Sequence, residues 1–202
     1  MPSIPVRKRR PGCVFKYPLK QVKTFVFDGY AALAVESEIE GKKFLLCSVH
    51  LELVKDIRVT ETGIDLSTGS ALKLLKNELV KETPRSRSVE ELLSWISSQR
   101  YENVIIGGDF NTVPFSTAVR KMDGRYKDAL WPSLQYFTGS YNMSPLPVEP
   151  RIDYIFYSPS LKCRSAVIVK ESAGDHYPVK ALFDPQIYPV KSRRGRTAHL
   201  TG

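Results

Sequence analysis

An α/β fold, with helices covering a mixed sheet, is predicted for this 202-residue sequence by three observations. The run Val104-Ile105-Ile106 reads as a buried strand, followed by Gly107-Gly108 and then Asp109-Phe110-Asn111. Just before it, Ser88 and Glu91 form a capping box, and Val89, Leu92, Leu93 and Ile96 fall on one helical face. Earlier, Tyr30 to Ile39 and Lys43 to Leu51 read as strands joined by a turn at Glu40-Gly41-Lys42. A helix that delivers the chain to a buried strand is what a helix-covered sheet requires. Polar residues just past such a strand lie where open α/β sheets place their sites. The competing reading of Asp109 and Asn111 is a polar turn before a helix starting near Ser116.

Taken in order, residues 1–12 are rich in Pro and Arg and read as a basic, disordered lead-in. From Val14 to Val26 apolar residues show no clear period, so no element is assigned. Residues 54–69 are polar and read as a loop, and Ala71 to Lys81 as an amphipathic helix. Ser116 to Met122 is a short helix, and Asp128 to Trp131 another turn of helix. Residues 138–150, with Gly139 and three prolines, are loop. Arg151 to Tyr157 is a strand with Asp153 in its middle, a carboxylate costly to bury unless it is paired. Ala166 to Val169 and Val179 to Phe183 complete the strands, the latter entered through the turn Gly174-Asp175-His176-Tyr177-Pro178. Residues 185–202 are a basic tail, leaving one domain over 13–184.

Composition excludes several classes. An apolar content of 42% and a charged content of 25% are ordinary for a globular domain, and no apolar run approaches a membrane span. No secretory h-region follows the basic start. Cys13, Cys47 and Cys163 lack metal-ligand spacing, and their placement predicts free thiols in a reducing, cytoplasmic compartment. The net charge of +9 is carried by the ends: residues 1–27 hold seven Lys/Arg and residues 185–202 hold four, with no acid in either. The middle is left with 19 basic and 21 acidic residues, a net of −2. Basic ends add sequence-independent attraction to phosphate backbones or serve only as solubilising termini.

Polar residues at strand ends make an inventory: His50, Asp109, Asn111, Asp153, Asp175 and His176. Carboxylates can hold a hard cation and a water, and imidazoles can contact phosphate or move protons. Asp153 is a natural partner for His176, because a carboxylate sets an imidazole's tautomer and basicity. Neither a nucleophilic G-x-S-x-G elbow nor a Walker phosphate loop is present.

The ordered segments Ser48-Val49-His50-Leu51, Gly108-Asp109-Phe110-Asn111, Arg151-Ile152-Asp153-Tyr154 and Gly174-Asp175-His176-Tyr177-Pro178-Val179 resemble the endonuclease/exonuclease/phosphatase superfamily, with its deoxyribonuclease-I-like fold. The resemblance spans roughly Gly12 to Phe183. It implies two packed mixed sheets flanked by helices, a four-layer αββα sandwich. It implies a Mg2+- or Mn2+-dependent hydrolase of phosphodiester bonds, with nucleic acid favoured as substrate and a small or lipid phosphate as the competitor. In its terms Asp109 orients and deprotonates the attacking water, and Asn111 helps hold that water and the phosphate. His176, braced by Asp153, contacts the scissile phosphate; His50 donates to a phosphate oxygen; Asp175, with Asp109, binds metal.

One departure qualifies this expectation. The family begins with a strand bearing an Asn and, soon after, a Glu that is its principal metal ligand, whereas here the first Asn is Asn77 and the first acid Asp28. Cys13 to Pro18 resembles the segment that follows those motifs, so the N-terminal strands of one sheet are expected to be missing. Glu36, Glu38 and Glu52 are the nearest substitutes, with Glu36 and Glu38 expected to face solvent by strand alternation. The expected consequences are weak cation binding and an exposed sheet edge and apolar face that a partner or second copy would cover. A catalytically impaired relative acting as a binding protein is the remaining alternative.

Overall fold

The computed structural model describes residues 16–27, 30–53, 58–60, 63–65, 68–142, 149–171 and 174–184. The basic ends expected at 1–12 and 185–202, and Cys13, lie outside the described residues. In chain order the strands and helices are β1 (Lys20–Phe27), β2 (Tyr30–Ile39), β3 (Lys42–His50), β4 (Arg58–Thr60), β5 (Gly63–Asp65), α1 (Thr68–Val80), α2 (Pro84–Ser98), β6 (Asn103–Asp109), α3 (Thr117–Asp123), β7 (Lys127–Asp128), β8 (Asp153–Tyr157), β9 (Cys163–Ile168) and β10 (Val179–Phe183). A 3₁₀ turn covers Leu134–Phe137.

Six strands form one sheet in the order β1-β2-β3-β6-β8-β7; β9 and β10 form a second, and β4 and β5 a small hairpin. All neighbours in the large sheet are antiparallel except β3 and β6. A parallel pair needs a long crossover, and α1 and α2 supply it. The β2–β3 hairpin turns on Glu40 and Gly41, both at positive φ (51° and 73°), the twist a two-residue hairpin loop favours.

Alternation along the strands sorts the core. Leu45, Cys47, Val49, Val104, Ile106, Tyr154 and Phe156 face α2 and α3, meeting Val89, Leu92, Leu93, Ile96, Val119 and Met122. The intervening residues Phe44, Ile105, Ile155 and Tyr157 face the other way, onto Ala166, Ala181 and Phe183 of β9 and β10. The result is the expected α/β sandwich: helices, a six-stranded mixed sheet, and a second sheet that has two strands among the described residues.

Several local expectations are corrected. α2 begins a turn early, at Pro84, and its capping box is Thr83 with Ser86, not Ser88 with Glu91. Thr83 Oγ1 accepts from the Ser86 N–H (3.2 Å) and Ser86 Oγ from the Thr83 N–H (2.9 Å), while Pro84 presets the first helical φ. β1 was invisible in the sequence because an edge strand with an irregularity between Gln21 and Lys23 buries only Phe25 and Phe27. The expected loop at 54–69 contains β4, β5 and the start of α1. Lys127–Asp128 pairs with β8, a strand the sequence did not suggest, and the expected turn over Asp128 to Trp131 follows, closed by the Trp131 N–H on the Asp128 carbonyl (3.2 Å). β8 starts at Asp153, so that carboxylate stands at the strand's end, not its middle.

Two buried ion pairs fasten the loops at this end of the sheet. Arg85 pairs with Glu78 and donates to the Glu52 carbonyl (3.1 Å), while Thr112 donates to Glu78 (2.6 Å), joining α1, α2 and the segments after β3 and β6. Arg151 forks onto both Asp128 oxygens (2.7 and 2.8 Å) with its guanidinium against the Tyr136 and Tyr154 rings.

Candidate active site

Register brings the site together. His50 is the partner of Asp109 across β3 and β6, and Asp109 is the partner of Asp153 across β6 and β8. All three therefore stand in one row, on the face that meets β9 and β10. The His50 Nε2 lies 3.6 Å from Asp109 Oδ2, and its ring packs edge-on against Tyr30. His176, three residues ahead of β10, completes the row from the second sheet, its Nδ1 2.8 Å from Asp153 Oδ2.

The backbone around the row explains its residue types. Gly108 sits at φ 143°, and a Cβ there would stand 1.9 Å from the Val49 carbonyl oxygen, so only glycine lets β3 and β6 approach at this point. Asn111 is left-handed (φ 49°), a conformation Asn tolerates, which folds its N–H back to donate to Asp109 Oδ1 (2.8 Å). Its side-chain amide donates to the Leu51 carbonyl (2.8 Å), tying the loop after β6 to the end of β3.

Ser140, fully buried, pins Asp153 and His176 to each other. Its hydroxyl accepts from the N–H groups of Ile152 (2.9 Å) and Asp153 (3.0 Å), and its carbonyl accepts from the Tyr177 N–H (2.7 Å). Tyr141 pairs its backbone with His176 and sets its ring edge-on against the imidazole at 5.0 Å. Sequence reading missed Ser140 because a serine in a Gly-containing loop has no signal of burial. A cavity of about 250 Å3 lies beside the row, lined among others by Gly108, Asp153, His176 and Pro178.

Burial, reinforced by the neighbouring Asp153 and Asp175 carboxylates, pushes Asp109 up to about 7; the Asn111 N–H and His176 pull the other way. The hydrogen bond to Asp153 raises His176 above the ordinary imidazole value, against its burial. Thus His50, Asp109, Asn111, Asp153 and His176 are assembled at one place. Asp175 is exposed next to His176, near enough to raise both Asp109 and His176.

The substitute acids lie elsewhere. Glu36 is half-buried and accepts from the Tyr101 hydroxyl, not solvent-facing as alternation suggested; Glu38 is exposed; Glu52 is buried beside the Ser88 hydroxyl (3.4 Å). Among the described residues no group of three His, Cys, Asp or Glu side chains is placed to hold a metal ion. The donor set present, Asp109 with Asp175, fits only the kind of Mg2+ site that one or two carboxylates share with substrate and water.

A sheet sandwich with an imidazole–carboxylate row at its edge defines the class, and the sequence agrees: residues 12–176 match the Endonuclease/Exonuclease/phosphatase family, and the chain belongs to it. Among solved structures, the human Nocturnin catalytic domain with bound sulfate superposes with a TM-score of 0.53 at 16% identity, covering 82% of this chain and 60% of that one. Humanized D. rerio TDP2 gives 0.55 at 15% identity, covering 82% and 68%. D. rerio TDP2 complexed with single-strand DNA product gives 0.54 at 15%, with the same coverage. At these identities the likeness establishes the fold. The chain spans 55% to 60% of the length of other similar structures, including an Enterococcus faecalis protein and Nocturnin. A search of curated protein sequences finds no match.

Proposed function

We propose that this chain carries the hydrolytic site of a phosphodiesterase acting on nucleic acid. The observation that supports it most is the joining of Asp109, from one sheet, to the Asp153–His176 pair that bridges the two sheets. Asp109, held by the Asn111 N–H, is the group to orient a water and take its proton. His176, its Nδ1 turned to Asp153, has Nε2 left to face a phosphate oxygen. His50, across Asp109, is a second donor to the negative charge that builds up as the P–O bond breaks.

A divalent cation, Mg2+ or Mn2+, belongs to the proposal: Asp109 and Asp175 would hold it, and when bound it would supply Lewis-acid stabilisation of the phosphate. The reading also carries an intracellular compartment, in keeping with Cys163 standing as a free thiol. Among the described residues no helix is long and apolar enough to cross a membrane. A partner or second copy over an open sheet edge is part of the same reading, supported by exposed Val26 on β1 and Leu182 on β10.

The test is a panel of single-stranded and duplex oligonucleotides, a sugar phosphate and sphingomyelin, assayed with Mg2+. Oligonucleotide cleavage that falls by about 10²–10⁴ in Asp109→Ala and in His176→Ala, with the far-UV spectrum of the folded chain kept, is expected. An Asp109→Ala chain as active as the parent would remove the assigned role. Turnover of the sugar phosphate or lipid alone would move the substrate class to the phosphatase or sphingomyelinase-like alternative. A second reading, an impaired relative that binds without turnover, is favoured by the engagement of Asp153 with His176, which leaves two carboxylates, Asp109 and Asp175, for a cation; inactivity across the panel with retained oligonucleotide binding would establish it.

A further inference from the structure

The loop after β6 and the segment after β7 build an aromatic ledge beside this row. Phe115, Trp131, Leu134 and Phe137 are exposed to 43%, 62%, 104% and 72%, a concentration of large apolar side chains at the surface that ordinary packing does not produce. The three rings share one anchor, the buried Tyr136, whose ring centroid lies 5.8 Å from Phe115 and 4.9 Å from both Trp131 and Phe137. Phe115 holds φ at 65°, a left-handed conformation that is costly for a bulky side chain and marks a constrained position.

The ledge is continuous with the candidate site at both ends. Phe115 follows Asn111 by four residues. Tyr136 shares a cluster with Tyr177, the residue after His176, and lies 4.9 Å from the guanidinium of Arg151, two residues before Asp153. The exposed Arg120 donates to the Phe115 backbone carbonyl (2.6 Å), which holds a cation at the edge of the ledge.

We propose that this ledge receives the bases of single-stranded nucleic acid flanking the scissile phosphate. The rings favour that occupant. Trp131 and Phe137 meet Tyr136 at 89° and 87°, and Phe115 is tilted by 54° and 46° to its neighbours, so none is stacked face to face on another. Base-binding surfaces combine such open rings with a cation that follows the phosphate backbone. The identity of the occupant rests on the phosphodiesterase reading, whereas the ledge can be tested without turnover.

Anisotropy of a short fluorescein-labelled single-stranded oligonucleotide is titrated with the full chain in EDTA, alongside vesicles of phosphatidylcholine and phosphatidylserine. Trp131→Ala and Phe137→Ala are each expected to weaken oligonucleotide binding about tenfold, and Trp131→Phe to restore most of it, with the far-UV spectrum and Tm unchanged. The proposal is overturned if the double alanine variant binds oligonucleotide as the parent does. It is equally overturned if the rings matter only for vesicle binding. Ring-dependent binding without cleavage when Mg2+ is added would sink the hydrolytic reading and leave the ledge standing. Equal binding and cleavage by parent and ring variants would do the reverse.

Discussion

The pair Asp153 and His176 shows how much one hydrogen bond organises. Because that bond raises the folded-state pKa of His176, it stabilises the fold fully below the unfolded value near 6.5. The contribution is lost as pH rises through the raised folded value. In Asp153→Asn the histidine pKa, followed by NMR in metal-free protein, is expected to fall; an unmoved titration would contradict the assigned cause. Gly108 is the other residue whose identity is forced. A methyl group there collides with the Val49 backbone at the point where His50 and Asp109 are set side by side, so Gly108→Ala should cost about 3 kcal/mol or more by denaturant unfolding.

Among the elements, β8 has the most attached to its entrance. The Arg151–Asp128 fork fixes it to β7, and Ser140, its hydroxyl on the N–H groups of Ile152 and Asp153 and its carbonyl on that of Tyr177, fixes it to the segment that presents His176. Asp128→Ala leaves a buried guanidinium without its counter-charge, and a loss of about 3–5 kcal/mol in unfolding free energy is expected. α2 supplies a contrasting, smaller case. Its true cap is Thr83, so Thr83→Ala should cost about 1 kcal/mol, whereas an alanine at Glu91, which the sequence pattern had placed in the capping box, should cost little. The apolar face Val89, Leu92, Leu93 and Ile96 was nevertheless legible, because burial follows the 3.6-residue period regardless of where the first turn begins.

For the whole molecule, the balance of acids at the site sets its affinity for cations. With Asp153 engaged by His176, Asp109 and Asp175 are the carboxylates left to take a cation, and Mg2+ titrated by calorimetry should give a weak, gradual heat signal. A sharp one-to-one inflection would contradict this. The sequence by itself determined the fold class, the α2 face, the β2–β3 hairpin and the inventory His50, Asp109, Asn111, Asp153 and His176, because periodicity, turn chemistry and motif order are local properties of the chain. It did not reveal the edge strand β1, the short strand β7, the role of Ser140 or the ledge around Tyr136. Those depend on which distant backbone supplies a hydrogen bond and which ring finds no cover. Only the tertiary structure decided them, since strand register and the packing of two sheets set distant residues side by side, as His50 and Asp109, 59 positions apart, or Asp153 and His176, 23 apart.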